Sequence, residues 1–302
     1  MQIELVSFRR GLVGRLLESV YREIRISWQF IYRDISSAIV PELLFLLAAL
    51  NSQSLPAIEW IGGLARGLLY FYLYLFSFCL SNQIVGIEED RINKPDRPLV
   101  TGAVSHHGAI VRLAIGMALS LGVAWLWGVL EWAILWQVFV ILYNFGRAGT
   151  HWLTRNLVIA GATVAQLAPA WQLIRPITPI AWHWILMAAG MWLLLGAVQD
   201  LRDIEGDRVI HRKTLPLVVG EIPCRILLIS GFIVFPIVFY FALMMSTSWR
   251  GEIILGNMVL AVISWSIAVR ILVFRSPQAD DMTYKLFTYL YCSIPFIAIF
   301  TL

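Results

Sequence analysis

Charge is scarce in this sequence: Asp, Glu, Lys and Arg make up 14% of its 302 residues, while apolar residues make up 59%. A soluble domain carries about a quarter charged residues, so too few polar groups remain to cover a water-facing surface, and lipid is the expected solvent. Cysteine is scarcer. Cys79, Cys224 and Cys292 are odd in number, sit in or beside apolar runs and form no CxxC pair, which excludes a disulfide framework and a zinc site. No long basic run with interleaved aromatics is present and the net charge is only +4, so nucleic acid is not an expected partner; no motif points to an obligate protein partner either. Residues 1–35 are not expected to be a cleaved leader either. The six arginines of residues 1–35 are spread out rather than placed ahead of one apolar core.

What the chain has is long apolar runs. A backbone in lipid must satisfy its polar groups within its own element, so these runs are expected to be helices of about 20 residues each. Nine are readable, over 30–51, 59–84, 108–130, 132–146, 156–174, 178–199, 224–246, 252–274 and 284–302. Lys and Arg concentrate in 1–29, 85–107, 147–155, 200–223 and 275–283, which puts those segments and the N-terminus on the cytosolic side. Ahead of the first run, Phe8, Leu12, Leu16, Val20, Ile24 and Trp28 recur every four residues between arginines. That stripe predicts an interfacial helix over 1–29 lying on anionic lipid heads. The expectation is an all-α polytopic membrane protein, one domain over 1–302.

Two polar segments on the same side resemble each other. Ile87-Glu88-Glu89-Asp90-Arg91 follows the second run and Ile204-Glu205-Gly206-Asp207-Arg208 follows the sixth, sharing Ile-Glu-x-Asp-Arg, as two duplicated halves would. Asp200, Asp203 and Asp207 are spaced i, i+3, i+7 and share one helical face. Asn82 pairs in the same way with Glu89, and Gln83 with Asp90. Oxygen-only donors in rows suit Mg²⁺, which takes a few carboxylates together with phosphate oxygens and water. A solvated charged loop is the plain alternative for either segment alone. Matched spacing on one side of the membrane favours a joint site, since acids at membrane depth are costly and usually functional. Lys94, Arg97, Arg155, Arg208, Arg212 and Lys213 lie nearby in sequence and would neutralise an anionic leaving group.

These residues resemble the UbiA superfamily of intramembrane prenyltransferases. Asp200, Asp203 and Asp207 complete the second family row, followed by Thr214-Leu215-Pro216, and Arg97-Pro98 matches the step after the first row. The first row departs from the pattern: Asn82 and Asp90 remain, but Gln83 and Gly86 stand where the family usually has aspartates. The run Asn93-Lys94-Pro95-Asp96-Arg97-Pro98, together with Tyr143-Asn144, Trp152 and Arg155-Asn156, is similar to the UbiA-type terpene cyclases. The resemblance implies nine helices around a central chamber in a bacterial plasma membrane or fungal endoplasmic reticulum. It implies Mg²⁺ held by Asn82, Glu89, Asp90, Asp200, Asp203 and Asp207, with Asp90, Asp200 and Asp203 essential to ionisation. It places the diphosphate on Lys94, Arg97, Arg155 and Lys213, and the chamber wall at Phe78, Tyr143, Asn144, Asn156 and Trp192. The implied reaction is cyclisation of a linear prenyl diphosphate, farnesyl diphosphate before geranylgeranyl diphosphate, with release of diphosphate. The alternatives are prenylation of an aromatic or quinone-precursor acceptor and, from another class, transport.

Overall fold

The computed structural model describes residues 12–244 and 251–302; Phe8 of the predicted stripe lies outside them. The described residues fold into helices alone, apart from one isolated bridge. In chain order these are α1 (Leu12–Ile31), α2 (Ile35–Ala38), α3 (Val40–Asn51), α4 (Ala57–Val85), α5 (Ile87–Asn93), α6 (His106–Leu126) and α7 (Leu130–Asn144). Then come α8 (Trp152–Gln172), α9 (Pro179–Leu195), α10 (Asp200–Val209), α11 (Leu215–Val219), α12 (Glu221–Phe239), α13 (Gly251–Val273) and α14 (Pro277–Thr301).

Local chemistry starts several of them. Ser105, Thr178 and Ser276 cap α6, α9 and α14, their hydroxyls accepting from the backbone N–H of Gly108, Ala181 and Ala279. Pro179 and Pro277 occupy the first turn, where a missing N–H costs nothing. The same rule corrects the first predicted span. The run 30–51 is not one helix: α1 stops at Ile31, and Pro41 opens α3. The segments Gly14–Ile31 and Ile35–Asn51 meet at a bend of 77°. The sixth run extends beyond its predicted end, through a short 3₁₀ turn at Gly196–Gln199 into α10.

Among the described residues six helices are long and apolar enough to cross a bilayer: Ala57–Val85, His106–Leu126, Pro179–Val209, Glu221–Leu243, Ile254–Val273 and Pro277–Thr301. The bent pair makes a seventh candidate. α7 is apolar but has 15 residues, and α8 carries Arg155, Asn156, Gln166 and Gln172 among its 21.

Among the described residues the long helices form a closed ring. α3, α4, α6, α7, α8, α9, α12, α13 and α14 each pack on the next, and α14 returns to α3. Lipid supplies no hydrophobic drive for this, so close packing must. A Cβ on Gly67 would come within 2.5 Å of Leu46 Cδ1, which is how α3 and α4 approach so closely. Phe45 and Trp171 pack at 5.2 Å between α3 and α8. At the end of the ring that carries the acidic segments, Arg225 of α12 forks onto Asp280 of α14 at 2.7 and 3.1 Å, both side chains buried. α1 lies outside the ring, held by Arg112 on Glu23 at 2.6 and 2.9 Å. Its Leu16, Val20, Ile24 and Trp28 are exposed.

Candidate active site

Both acidic segments open into one cavity of about 780 Å³, within the size range of small-ligand sites. α4 ends where Gly86 turns the chain, its N–H bonded to Asn82 O at 2.8 Å, and α5 then carries Glu89 and Asp90 over the cavity mouth. α9 runs on into α10, which carries Asp203 and Asp207 to the opposite side of that mouth. The aligned acids of the two segments, Asp90 and Asp207, are the deeply buried ones, 5% and 3% exposed. Each is held by an arginine further along its own loop: Asp90 by Arg97 Nη1 at 2.5 Å and Asp207 by Arg212 Nη1 at 3.3 Å. Arg212 also reaches across, its Nη2 donating to Glu89 at 3.1 Å. One guanidinium thus ties the α5 segment to α10.

The backbone sets this spacing. Lys213 N donates to Thr150 O at 2.8 Å and Trp152 N to Lys213 O at 2.9 Å, joining the loop before α8 to the loop after α10. Arg147 and His211, just before each side of the clip, adopt left-handed φ of 56° and 55°, a conformation that costs a non-glycine residue about 1–2 kcal/mol. The clip sets Arg147, Arg155 and Arg212 around the mouth, and all three line the cavity. Lys94 and Arg97 line it from the other side. Partial burial, and then Arg97, lower the Lys94 ammonium from the usual lysine range. Arg202 also lines it, bonded to Asp203 and Asp281 and set 4.5 Å above the Tyr284 ring.

Several predicted residues sit elsewhere. Lys213 has an exposed side chain off the cavity, its contribution being the backbone clip, and Arg212 takes the inward position. Gln83 does not share a face with Asp90: the turn at Gly86 intervenes, and Gln83 donates to Phe30 O of α1 at 3.2 Å. Asn156 is buried off the cavity, donating to Leu193 O at 3.1 Å. Asp200, 1% exposed, stands behind Arg155 and bonds to it without lining the cavity. Asn82, Phe78, Tyr143, Asn144 and Trp192 do line it, with Asn82 and Asn144 joined at 3.2 Å.

Below the mouth the wall turns aromatic. Phe78 packs on Tyr143 at 5.7 Å and Trp136 at 5.8 Å, Trp136 stacks on Tyr74 at 3.6 Å, and Trp192 meets Tyr291 edge-on at 5.6 Å. Ring faces attract cations. Asp34, Trp136, Arg202, Tyr74, Tyr284 and Tyr291 line the cavity too; apolar periodicity gives no sign of which aromatics among so many turn inward.

Among the described residues no three carboxylates already converge on one point; Glu89, Asp90, Asp200, Asp203 and Asp207 are each bonded to a guanidinium. The donor set nevertheless fits Mg²⁺. It consists of carboxylate and amide oxygens on two sides of one mouth, and Oδ2 of both Asp200 and Asp207 is buried without a hydrogen-bond partner.

Known proteins resemble this chain. The model of the UbiA prenyltransferase family matches residues 39–291. Somaliensene A/B synthase of Streptomyces somaliensis is 44% identical over 269 residues, 89% of this chain and 90% of that protein. Diterpene cyclase eriG of Hericium erinaceus is 34% identical over 91% of this chain and 88% of its own length, and polyprenyl transferase eriF of the same organism is 31% identical over 91% and 94%. The fold matches that of a UbiA homolog from Archaeoglobus fulgidus bound to GPP and Mg²⁺, with a TM-score of 0.65 at 15% identity over 91% of this chain and 100% of that one.

Proposed function

The chain belongs to the UbiA prenyltransferase family, and from that premise we propose that it is a membrane-bound terpene cyclase that ionises a linear prenyl diphosphate and closes the resulting cation into rings. The observation that carries this reading is Arg212, spanning from Glu89 to Asp207 over the mouth of a cavity whose depth is lined by aromatic rings. A charged mouth over an aromatic chamber suits a substrate with a diphosphate head and an apolar tail.

Asn82, Glu89, Asp90, Asp203 and Asp207 would hold Mg²⁺ at the mouth, with Asp200 joining from behind Arg155. Bound there, Mg²⁺ supplies positive charge to the diphosphate oxygens. Arg212, Arg155, Arg97 and Lys94 grip those oxygens and take up the charge that develops as the C–O bond breaks. Phe78, Trp136, Tyr143 and Trp192 face the allylic cation left behind, and their quadrupoles stabilise it. A dry chamber keeps water from quenching it early.

The resemblance favours farnesyl diphosphate as the substrate, with geranylgeranyl diphosphate as the alternative. The relative named a diterpene cyclase supports the longer of the two. We also read nine crossings, counting α3, α7 and α8, in one domain with the mouth and the N-terminus on the cytosolic side and α1 lying in the interface. A second reading, prenylation of an acceptor, is supported by the polyprenyl transferase among the relatives. Purified protein given Mg²⁺ and farnesyl or geranylgeranyl diphosphate, without an acceptor, separates the two. Cyclic hydrocarbons or alcohols with stoichiometric diphosphate support cyclisation, and turnover only with an aromatic acceptor rejects it.

A further inference from the structure

Among the described residues six acids line the cavity. Glu88, Glu89, Asp90, Asp203 and Asp207 are each bonded to an arginine. The sixth, Asp34, is not. Its side chain takes one bond among the described residues, from the Cys79 thiol to Oδ2 at 3.4 Å, and Oδ1 has no partner. Asp34 belongs to neither acidic segment. It stands in the elbow between α1 and α2, ahead of the residues 39–291 that the family model matches, and the reading of the mouth gives it no role.

The contacts of the elbow fix where this carboxylate stands. Arg33 forks onto Asp96 at 2.8 and 2.9 Å, and Tyr32 donates to the same carboxylate at 3.2 Å. These bonds tie the elbow to the loop that carries Lys94 and Arg97. On the other flank Ser37 donates to the backbone oxygen of Asp34 at 3.1 Å. Cys79 lies on α4 three residues before Asn82, so Asp34 meets α4 about 4.5 Å below Asn82. That is the height of Phe78, the first ring of the aromatic wall. Ring closure joins a distant double bond of the chain to the carbon that the diphosphate leaves, so the new ring forms in this upper part of the chamber. A carboxylate oxygen bonded to a guanidinium has a lone pair committed; Asp34 keeps one oxygen with its acceptor capacity open.

We propose that Asp34 is the proton acceptor that ends the cyclisation, a catalytic residue supplied by the N-terminal elbow; this rests on the cyclase reading above. The C–H bond beside the final cationic carbon breaks, and its electron pair becomes the C=C bond of the product. The proton forms an O–H bond at Oδ1 of Asp34, while the Cys79 thiol holds the carboxylate by its other oxygen. Asp34 is itself partly exposed and lines the cavity just inside its mouth, so once the product has left, the proton passes directly to water. No oxidant, reductant or further reactant is required.

The test compares the parent with Asp34→Asn, which keeps the shape and removes the base, and with Asp34→Gly, assayed with and without added formate as a replacement carboxylate. Diphosphate release, thermal unfolding in detergent and product composition by mass spectrometry are read together, with deuterium at the carbon that loses its proton. In both variants diphosphate release stays within about threefold of the parent, roughly 0.7 kcal/mol. The parent's main hydrocarbon falls at least about tenfold in share, against isomeric olefins and alcohols, because a positioned base contributes roughly 10²–10⁴-fold. Formate returns part of the original mixture to Asp34→Gly and leaves that of the parent unchanged. An unchanged mixture in folded Asp34→Asn overturns the assignment. If Asp34→Asn does not fold, Asp34→Gly decides: a parental mixture, or one that formate does not move, overturns it. Diphosphate release that collapses together with the hydrocarbon also overturns it, placing Asp34 with the acids of the mouth, as does a parent whose products are all alcohols. A parent that releases no diphosphate without an acceptor defeats the cyclase reading and this inference with it. A parent that cyclises while its variants give the same mixture defeats only the inference.

Discussion

Arg212→Gln separates what holds the protein together from what holds its substrate. The Arg212 side chain is 34% exposed and its partner Glu89 is 37% exposed; only Asp207 is deeply buried, at 4%. The Glu89 pair reaches solvent and is worth about 0–1 kcal/mol, but Asp207 is left buried without its cation, so the variant should lose stability by up to about 3–5 kcal/mol. The assay must therefore be run well below the variant's own melting temperature, on protein shown to be folded. A preorganised donor aimed at developing charge is worth about 10²–10³ in turnover, and Arg212 is the cation placed between the two acidic segments. Diphosphate release by the folded variant should therefore fall about 100-fold or more. Lys213→Ala is the control one residue away: its exposed side chain lies off the cavity, so it should keep near-parental turnover. The assay is phosphate detection after coupled pyrophosphatase digestion, run beside a thermal melt. Arg212→Gln turning over within about threefold of the parent, roughly 0.7 kcal/mol, would refute the bridging role.

Asp90→Ala and Asp200→Ala should each abolish diphosphate release while leaving the protein membrane-inserted, checked by fractionation and the same assay; retained activity in both would remove the acids from the reaction. Arg225→Met strands Asp280 in the interior and should cost about 3–5 kcal/mol in a denaturation measurement, and a loss under about 1 kcal/mol would contradict that. Gly161→Ala would bring a Cβ within 2.3 Å of Phe139 Cζ, and Phe139 lines the chamber. Its ring must shift, so product ratios should change and stability fall by about 1–3 kcal/mol, as product profiling and a melt would show.

Composition and spacing made much of this legible. Apolar runs announced helices because lipid allows the backbone little else, and the shared Ile-Glu-x-Asp-Arg segments marked Asp90 and Asp207, which the structure buries on two sides of one mouth. Periodicity failed where a helix gives way to a turn. Gly86 separates Gln83 from Asp90, so a face drawn through both does not exist. In the loop after α10, spacing cannot tell Arg212 from Lys213, because the inward direction is decided by a pairing with Thr150 some sixty residues earlier. The bend between α1 and α3 falls where Arg33, Asp34, Ser36 and Ser37 interrupt the apolar run at 30–51, and Pro41 marks where a new helix begins; average apolarity over the run conceals both signals.

The seam between Thr150, Trp152 and Lys213 involves peptide groups only. The gauge of the jaws is therefore written into main-chain atoms, which nearly every residue carries alike. Evolution or an engineer can exchange the side chains at 150, 152 and 213 and re-tune the rim's charge without changing the distance between its two sides. Proline at 152 or 213 is the exception: it deletes an N–H from the seam and would let the jaws drift apart with every charged group intact.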